Sequence, residues 1–137
     1  MNYWLIKSEP FKYSWDQFEK DQQTFWDGVR NYQARNNLRE MNFGDLCLFY
    51  HSNEGKEVVG IAEVIKESYQ DPTSTDPNWV VVDIRPHSKL KNPISLAQMK
   101  SEERLSKMGL LKQPRLSVIK LTKQEFDTII ELSDNAK

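Results

Sequence analysis

The sequence is poor in the residues that form covalent or metal cross-links. It has one cysteine, Cys47, and two histidines, which excludes an internal disulfide and a structural zinc site of the usual kind. No apolar run is long enough to span a bilayer, and the first ten residues lack the apolar core of a signal peptide. We therefore expect no membrane association, no metal and no cofactor, and a location in the bacterial cytoplasm or, in a eukaryote, the nucleus.

The chain also lacks repeats, low-complexity tracts and any linker long enough to divide it, so its 137 residues are expected to form a single domain, 1–137. Periodicity and turn residues predict strands at 2–6, 45–51, 58–67, 79–85 and 117–121. Capping patterns predict helices that begin after Ser14, near Asn31, after Ser95 and after Thr122. Strands and helices that do not alternate regularly indicate an α+β fold, a small curved sheet or barrel with peripheral helices.

The net charge of −1 conceals a division along the chain. Residues 85–123 contain ten Lys or Arg and two acids, a balance of +8, whereas residues 1–84 carry −6. This division predicts a basic face that could bind phosphate, although several of these lysines could equally be scattered surface residues. The small total charge argues against strong non-specific coating of a duplex, which requires many phosphate contacts.

Aromatic residues are concentrated in the first fifty positions, which hold twelve of the fifteen. The most informative stretch is 26–36, WDGVRNYQARN, where a tryptophan and an Asp-Gly turn signal precede a helix start with two arginines. A flat ring, a tight turn and donors at a helix N-terminus suit a planar polar ligand that carries phosphate. A buried tryptophan before an ordinary turn and a solvated helix is the alternative interpretation.

The order of several stretches resembles the EVE-domain family across nearly the whole chain. The highly specific segment is 26–36, and the weaker ones are 3–10 (YWLIKSEP), 49–53 (FYHSN), 59–64 (VGIAEV) and 115–118 (RLSV). The resemblance implies a PUA-like fold, a small mixed β-barrel with peripheral helices, related to YTH and ASCH domains. It further implies binding of DNA or RNA that carries modified bases, with an extruded base in an aromatic pocket.

One region departs from the family pattern. Family members usually carry a longer insert after an Asp-Pro-Thr motif, but here residues 71–73 are followed almost at once by Asp-Pro-Asn-Trp at 76–79. In YTH domains the comparable loop supplies a tryptophan of the base cage, and this short loop supplies none. Tyr69 or Trp79 is the expected substitute for that wall.

The resemblance and the local patterns together predict two groups of site residues. The base pocket is predicted to contain Ser8, Trp26, Val29, Asn31, Tyr50, His51, Tyr69 and Trp79. The nucleic-acid backbone is predicted to contact Lys7, Arg30, Arg35 and Arg115.

Two of these positions have alternative roles. His51 could be a general base, a partner for a base edge or a hydrogen-bonded core histidine. Lys7 and Ser8 are neighbours on a predicted strand, where successive side chains point to opposite faces, so they are not expected to form a catalytic dyad.

The function predicted from the sequence is that of a non-catalytic binding module that reads modified bases in DNA or RNA, and we expect it to be a monomer. An enzyme acting on a modified base or nucleotide is the first alternative, but the His-x-Glu and Cys-x-x-Cys signature of zinc deaminases is absent. A protein that binds structured RNA of the tRNA type is the second, and a metabolite- or protein-binding domain is the third. One buried methyl group contributes only about 0.8 kcal/mol, so we expect a polar-modified pyrimidine to be distinguished better than 5-methylcytosine.

Overall fold

The computed structural model describes residues 1–27 and 29–135 as a six-stranded mixed sheet with five α-helices. The strands are β1 (Tyr3–Ser8), β2 (Thr24–Phe25), β3 (Leu46–His51), β4 (Glu57–Gln70), β5 (Val80–Ser95) and β6 (Val118–Leu121). The helices are α1 (Trp15–Asp21), α2 (Tyr32–Glu40), α3 (Leu96–Ser101), α4 (Gly109–Lys112) and α5 (Lys123–Asn135), with a 3-10 turn at Glu103–Leu105. The predicted α+β class is confirmed.

The strand order is β2-β5-β4-β3-β1-β6, so the first and last strands of the chain lie side by side. β1 pairs in parallel with β3 and antiparallel with β6, and the remaining pairs are antiparallel. Register shifts interrupt the long β4–β5 pair at several points. Such bulges bend and twist a sheet, which gives these two long strands their curvature.

The core beside β1 and β3 is aromatic. Phe49 is fully buried and stacks on Phe18 with ring centroids 5.4 Å apart, and Trp15 meets Phe49 edge-on at 5.4 Å. Gly60 leaves the space for the Trp15 ring, because a Cβ atom at position 60 would lie 2.5 Å from it. This cluster supports the end of the sheet at which β1 and β3 finish.

The predicted helix starts agree with the caps that the structure shows. Ser14 accepts from the Gln17 amide, Asn31 accepts from the Ala34 amide, and Ser95 forms a reciprocal capping box with Gln98. The box before α5 is reciprocal as well, since the Thr122 hydroxyl accepts from the Glu125 amide and the Glu125 carboxylate accepts from the Thr122 amide. Each cap satisfies amide groups that have no partner within the helix.

The largest differences from the sequence prediction are in the strands. β5 continues to Ser95, ten residues beyond the predicted end, and passes through Pro86 and Pro93. Proline interrupts a regular ladder, but here Pro86 lies where the register shifts opposite Ile61 and Ala62. The short β2 has no sequence signal of its own, because two residues are too few for a periodic pattern. The turn predicted at 27–28 includes Gly28, which is outside the described residues.

Candidate base-binding site

A cavity of about 430 Å³ opens beside the end of β1, and we call it the Trp26 cavity. Its wall is built from three separate parts of the chain. These are the end of β1 with the turn after it (Lys7, Ser8, Glu9, Lys12, Tyr13), the β2 segment (Thr24, Phe25, Trp26, Asp27, Val29) and Ser117 before β6. This volume lies within the usual range of small-ligand pockets.

Trp26 is the largest side chain in this wall. It is 9 % exposed, and its ring meets Phe49 edge-on at 5.6 Å and Tyr13 edge-on at 6.2 Å. Its backbone amide donates to the Val82 carbonyl at 2.8 Å, which fixes the segment after β2 against β5. The indole is therefore rigidly held while part of its surface faces the cavity.

Two further aromatic walls were missed by the sequence prediction. Tyr13 and Phe25 both line the Trp26 cavity, and Phe25 is 40 % exposed. The Tyr13 hydroxyl donates to the Asp21 carboxylate at 2.9 Å, and burial together with this bond raises the pKa of Tyr13 to about 12. Tyr13 reaches the cavity because the turn at 9–13 folds back, with the Tyr13 amide bonded to the Glu9 carbonyl. A sequence pattern does not reveal that reversal.

The polar groups of the cavity balance in charge. Lys7 and Lys12 contribute two positive charges, and Glu9 and Asp27 contribute two negative ones. Glu9 is engaged by Lys12 at 3.2 Å and by Asn53 at 2.7 Å. A neutral wall with aromatic faces suits an uncharged planar group better than a phosphate.

The adjacent residues Lys7 and Ser8 line this same cavity, but they are bonded to different groups. The Lys7 ammonium donates to the Pro114 carbonyl at 2.7 Å, and burial lowers the pKa of Lys7. The Ser8 hydroxyl donates to the Tyr13 carbonyl and so holds the turn that carries the tyrosine ring. The two side chains therefore have separate structural partners and do not form a dyad.

Three residues of the predicted base pocket lie outside the Trp26 cavity. Asn31 caps α2, and Tyr50 is buried on β3 beside a smaller hollow. The His51 Nε2 atom accepts the Trp15 amide proton at 3.1 Å, which leaves it as a hydrogen-bonded histidine at the start of α1. Burial lowers the pKa of His51, in agreement with a neutral ring that acts as an acceptor.

Tyr69 and Trp79, which were predicted to replace the wall that the short loop does not supply, also lie outside the Trp26 cavity. The Tyr69 hydroxyl donates to Asp83 and its ring lies under the Lys66 ammonium, while burial and the Asp83 bond raise the pKa of Tyr69 to about 12. Trp79 stacks on Tyr32. The structure places neither ring in the Trp26 cavity, whose second and third aromatic walls are Tyr13 and Phe25.

The three predicted backbone-binding arginines have different surroundings. Arg30 pairs with Asp71 at 3.2 Å, and Arg35 lies over the Tyr32 ring with its guanidinium carbon 4.8 Å from the centroid. Arg115 is exposed beside a surface hollow that Asn31 also lines.

Ion pairs neutralise part of the positive charge of the basic segment 85–123. Arg85, Arg104, Lys120 and Lys123 are each paired with carboxylates, most of them from other parts of the chain. The predicted basic face is therefore partly neutralised.

Comparison with known proteins identifies the family. The family model described as the EVE domain matches residues 2–132. This chain belongs to the EVE-domain family. The match extends from the residue before β1 into α5, so the EVE domain includes every strand of the sheet.

Curated relatives of this EVE domain include thymocyte nuclear protein 1 of several vertebrates. The mouse protein is 36 % identical over 97 % of this chain and 74 % of its own length, and the human protein is 35 % identical over the same shares. The mouse alignment extends over 167 positions, which is longer than this chain, so the relative carries additional residues.

Solved structures of other EVE-domain proteins match closely. An Agrobacterium tumefaciens protein is 46 % identical, with a TM-score of 0.95 over 97 % of this chain and 93 % of that one. The human THYN1 protein, crystallised in complex with DNA containing 5-methylcytosine, is 34 % identical, with a TM-score of 0.94 and full coverage of both chains. An ASCH protein from Zymomonas mobilis, at 16 % identity and a TM-score of 0.60 over 95 % of this chain and 94 % of that one, shares the fold alone. No helix within residues 1–27 and 29–135 has both the length and the apolar character needed to cross a membrane.

Proposed function

We propose that this EVE domain is a non-catalytic reader of modified bases in nucleic acid, and that it holds an extruded base in the Trp26 cavity. The observation that carries the proposal is the position of the Trp26 indole in the wall of an open cavity with a neutral polar lining. The human THYN1 complex with DNA containing 5-methylcytosine supports nucleic acid as the ligand. Monomeric action belongs to the same proposal, and the titration below distinguishes DNA from RNA as the ligand.

The energetics are compatible with this role. Extruding a base from a duplex costs a few kcal/mol, and stacking on one aromatic side chain returns about 1–3 kcal/mol. Trp26, with Tyr13 and Phe25 beside it, provides more than one ring for that stacking. A modified base in a mismatch, or one already unpaired, would bind more tightly because less stacking is lost on extrusion.

The polar groups of the cavity determine which base fits. The exposed carboxylate of Asp27 is a suitable acceptor for an exocyclic amino group such as N4 of cytosine. Thr24 and Ser117 offer hydroxyl groups to a polar substituent on the base. A methyl group gains only the burial of apolar surface, so a hydroxymethyl group that bonds to these hydroxyls should be distinguished more strongly.

The test is a titration of labelled oligonucleotides that differ in one base: cytosine, 5-methylcytosine or 5-hydroxymethylcytosine, each as DNA and as RNA. Trp26→Leu should lower affinity for the preferred modified strand by about five- to a hundredfold, because one stacking face is lost. The ratio of modified to unmodified affinity should approach one. Trp79→Ala is the matched control, since it removes a tryptophan that lies outside the cavity, and it should keep that ratio.

Because Trp26 also packs on the core, a second variant tests the cavity without touching the indole. Ser117→Phe fills the space from the part of the wall before β6, and it should abolish the preference for the modified base while thermal unfolding stays close to that of the wild type. Unchanged binding in a folded Ser117→Phe protein would contradict the proposal. Turnover of the modified nucleotide during the titration would favour the enzymatic alternative instead.

A further inference from the structure

A second aromatic surface lies on α2 and on the residue before β5. The Tyr32 and Trp79 rings stack with centroids 5.4 Å apart and planes 26° from parallel, although the two residues are far apart in sequence. Tyr32 is 66 % exposed, so this stack lies at the surface and does not belong to the core. Large exposed aromatic rings of this kind are typical of binding surfaces.

Two arginines lie against these rings. The Arg35 guanidinium carbon is 4.8 Å from the Tyr32 centroid and 5.9 Å from the Trp79 centroid, and Arg30 is 5.5 Å from the Trp79 centroid. Tyr32 and Arg35 are three residues apart on α2 and therefore share a helix face. We call Tyr32, Arg35 and Trp79 the Tyr32 platform.

Arg35 keeps its charge available. Its Nε and Nη2 atoms donate to the Asn36 side-chain oxygen at 3.2 and 3.0 Å, and within residues 1–27 and 29–135 it has no carboxylate at ion-pair distance. Arg30, by contrast, is paired with the buried carboxylate of Asp71. A planar guanidinium that rests on aromatic rings has a fixed orientation and free donors at its edge, which is the geometry that phosphate oxygens require.

The platform is linked to the Trp26 cavity through a short piece of chain. Arg30 donates to the carbonyl of its neighbour Val29, and Val29 lines the cavity. The cavity itself is neutral and offers no net charge to a phosphate. The phosphate next to a base in the cavity must therefore be neutralised outside the cavity. Arg35 on α2 is a cation with no carboxylate partner in the part of the chain that the structure describes.

We infer that the Tyr32 platform binds one phosphodiester of the strand that flanks the base in the Trp26 cavity. This inference rests on the proposed function, because the cavity determines which strand is presented. It also gives Trp79 a role different from the predicted wall of the base pocket. The Trp79 ring packs against Tyr32 and Arg35 and holds them in place for the phosphate. The occupant is nucleic acid, since the surface combines a guanidinium that has no carboxylate partner among the described residues with flat rings that can cover a sugar or a neighbouring base.

The experiment is the salt dependence of binding to the modified oligonucleotide. Each phosphate contact contributes about 0.9 to the slope of log affinity against log salt for duplex DNA and about 0.7 for a single strand. Arg35→Gln should lower that slope by roughly one contact, so that a fourfold rise in salt weakens the variant by about threefold less than the wild type. Affinity at low salt should fall equally for modified and unmodified strands.

Matched controls separate this inference from the proposed function. Arg104→Gln removes an arginine already paired with Glu102 and Glu131, and it should leave the slope unchanged. Arg35→Lys should keep the slope because the charge remains, but it should bind more weakly because the planar fork is lost. A free modified nucleoside, which has no phosphate, should bind the Arg35→Gln protein as well as it binds the wild type.

The outcomes distinguish the two proposals. A wild-type slope in Arg35→Gln would overturn the platform as a phosphate site, and a changed preference for the modified base would show instead that Arg35 acts at the cavity. If Trp26→Leu keeps the preference for the modified base while Arg35→Gln has the lowered salt slope, the cavity is not the base-binding site, but the platform is still supported as a phosphate site. Tyr32→Ala keeps the Arg35 charge, so like Arg35→Lys it should keep the salt slope while it binds modified and unmodified strands more weakly.

Discussion

The two tryptophans Trp26 and Trp79 have different surroundings. Trp26 is 9 % exposed and packs edge-on against the fully buried Phe49. Trp79 is only partly buried and stacks on an exposed tyrosine. The cavity wall is thus part of the hydrophobic core, whereas the platform is an addition to its surface. We therefore expect changes to the platform to leave the fold intact, whereas changes to the cavity wall should also lower the free energy of unfolding.

The strongest test of this difference compares Phe49→Ala with Tyr32→Ala. Phe49 stacks on Phe18 and contacts Trp26, so its truncation should lower the free energy of unfolding by about 3–5 kcal/mol. Tyr32 makes surface contacts only, and its truncation should cost less than about 1 kcal/mol. Urea unfolding of the two variants measures both values. Similar losses would show that the platform is as integral to the fold as the cavity wall.

An intermediate effect is expected at Asp71, which connects the platform to the loop at 71–79. Its buried carboxylate accepts from the Thr73 amide at 2.7 Å and pairs with Arg30, and its amide donates to the Trp79 carbonyl. Asp71→Ala should cost about 1–3 kcal/mol because charged hydrogen bonds are lost.

The same Asp71→Ala variant keeps the Arg35 charge and removes the carboxylate partner of Arg30, so the salt slope of nucleic-acid binding should be no lower than that of the wild type, while the preference for the modified base stays unchanged. Asp71→Asn, which keeps one acceptor oxygen, is the milder control. A loss of base preference in Asp71→Ala would mean that the loop and the cavity are not independent.

The smallest effect is a pH dependence of stability that arises at His51, outside the Trp26 cavity. In the folded protein, burial lowers the pKa of His51, and the neutral ring accepts the Trp15 amide proton. The unfolded chain protonates this histidine near pH 6.5, before the folded chain does. The unfolded state therefore gains protons first as the pH falls, and the free energy of unfolding decreases below about pH 6.5 until the folded-state pKa is passed.

His51→Gln removes this titration and serves as the reference protein for the pH test. The difference in unfolding free energy between the wild type and His51→Gln should shrink between pH 7.5 and pH 5.5. His87 and all carboxylates are present in both proteins, so their contributions cancel. A difference that is constant with pH would show that His51 does not titrate in this range.

Four of the eleven described residues that line the Trp26 cavity were among the site residues predicted from the sequence. These residues are Lys7, Ser8, Trp26 and Val29. They could be predicted because they lie at strand ends or turns, which local sequence patterns reveal. Their functional roles remain predictions.

Tyr13 and Ser117 were missed because they reach the cavity through a chain reversal and through pairing of the two ends of the chain. The stack of Tyr32 on Trp79 depends on a short loop that closes between Asp71 and Trp79, and no pattern within either segment encodes it. The same limit applies to β5, which was predicted to end at residue 85 but continues past Pro86, where its register against β4 shifts.

The pairing of β1 with β6 has a consequence for biosynthesis. Tyr3 lies opposite Leu121, so the first strand gains its outer neighbour only after nearly the whole polypeptide has been made. At translation rates of roughly 5–20 residues per second, that delay is on the order of ten seconds. Until then the nascent chain presents an unpaired strand edge and an incomplete Trp26 cavity, so a prematurely terminated product would be prone to aggregation.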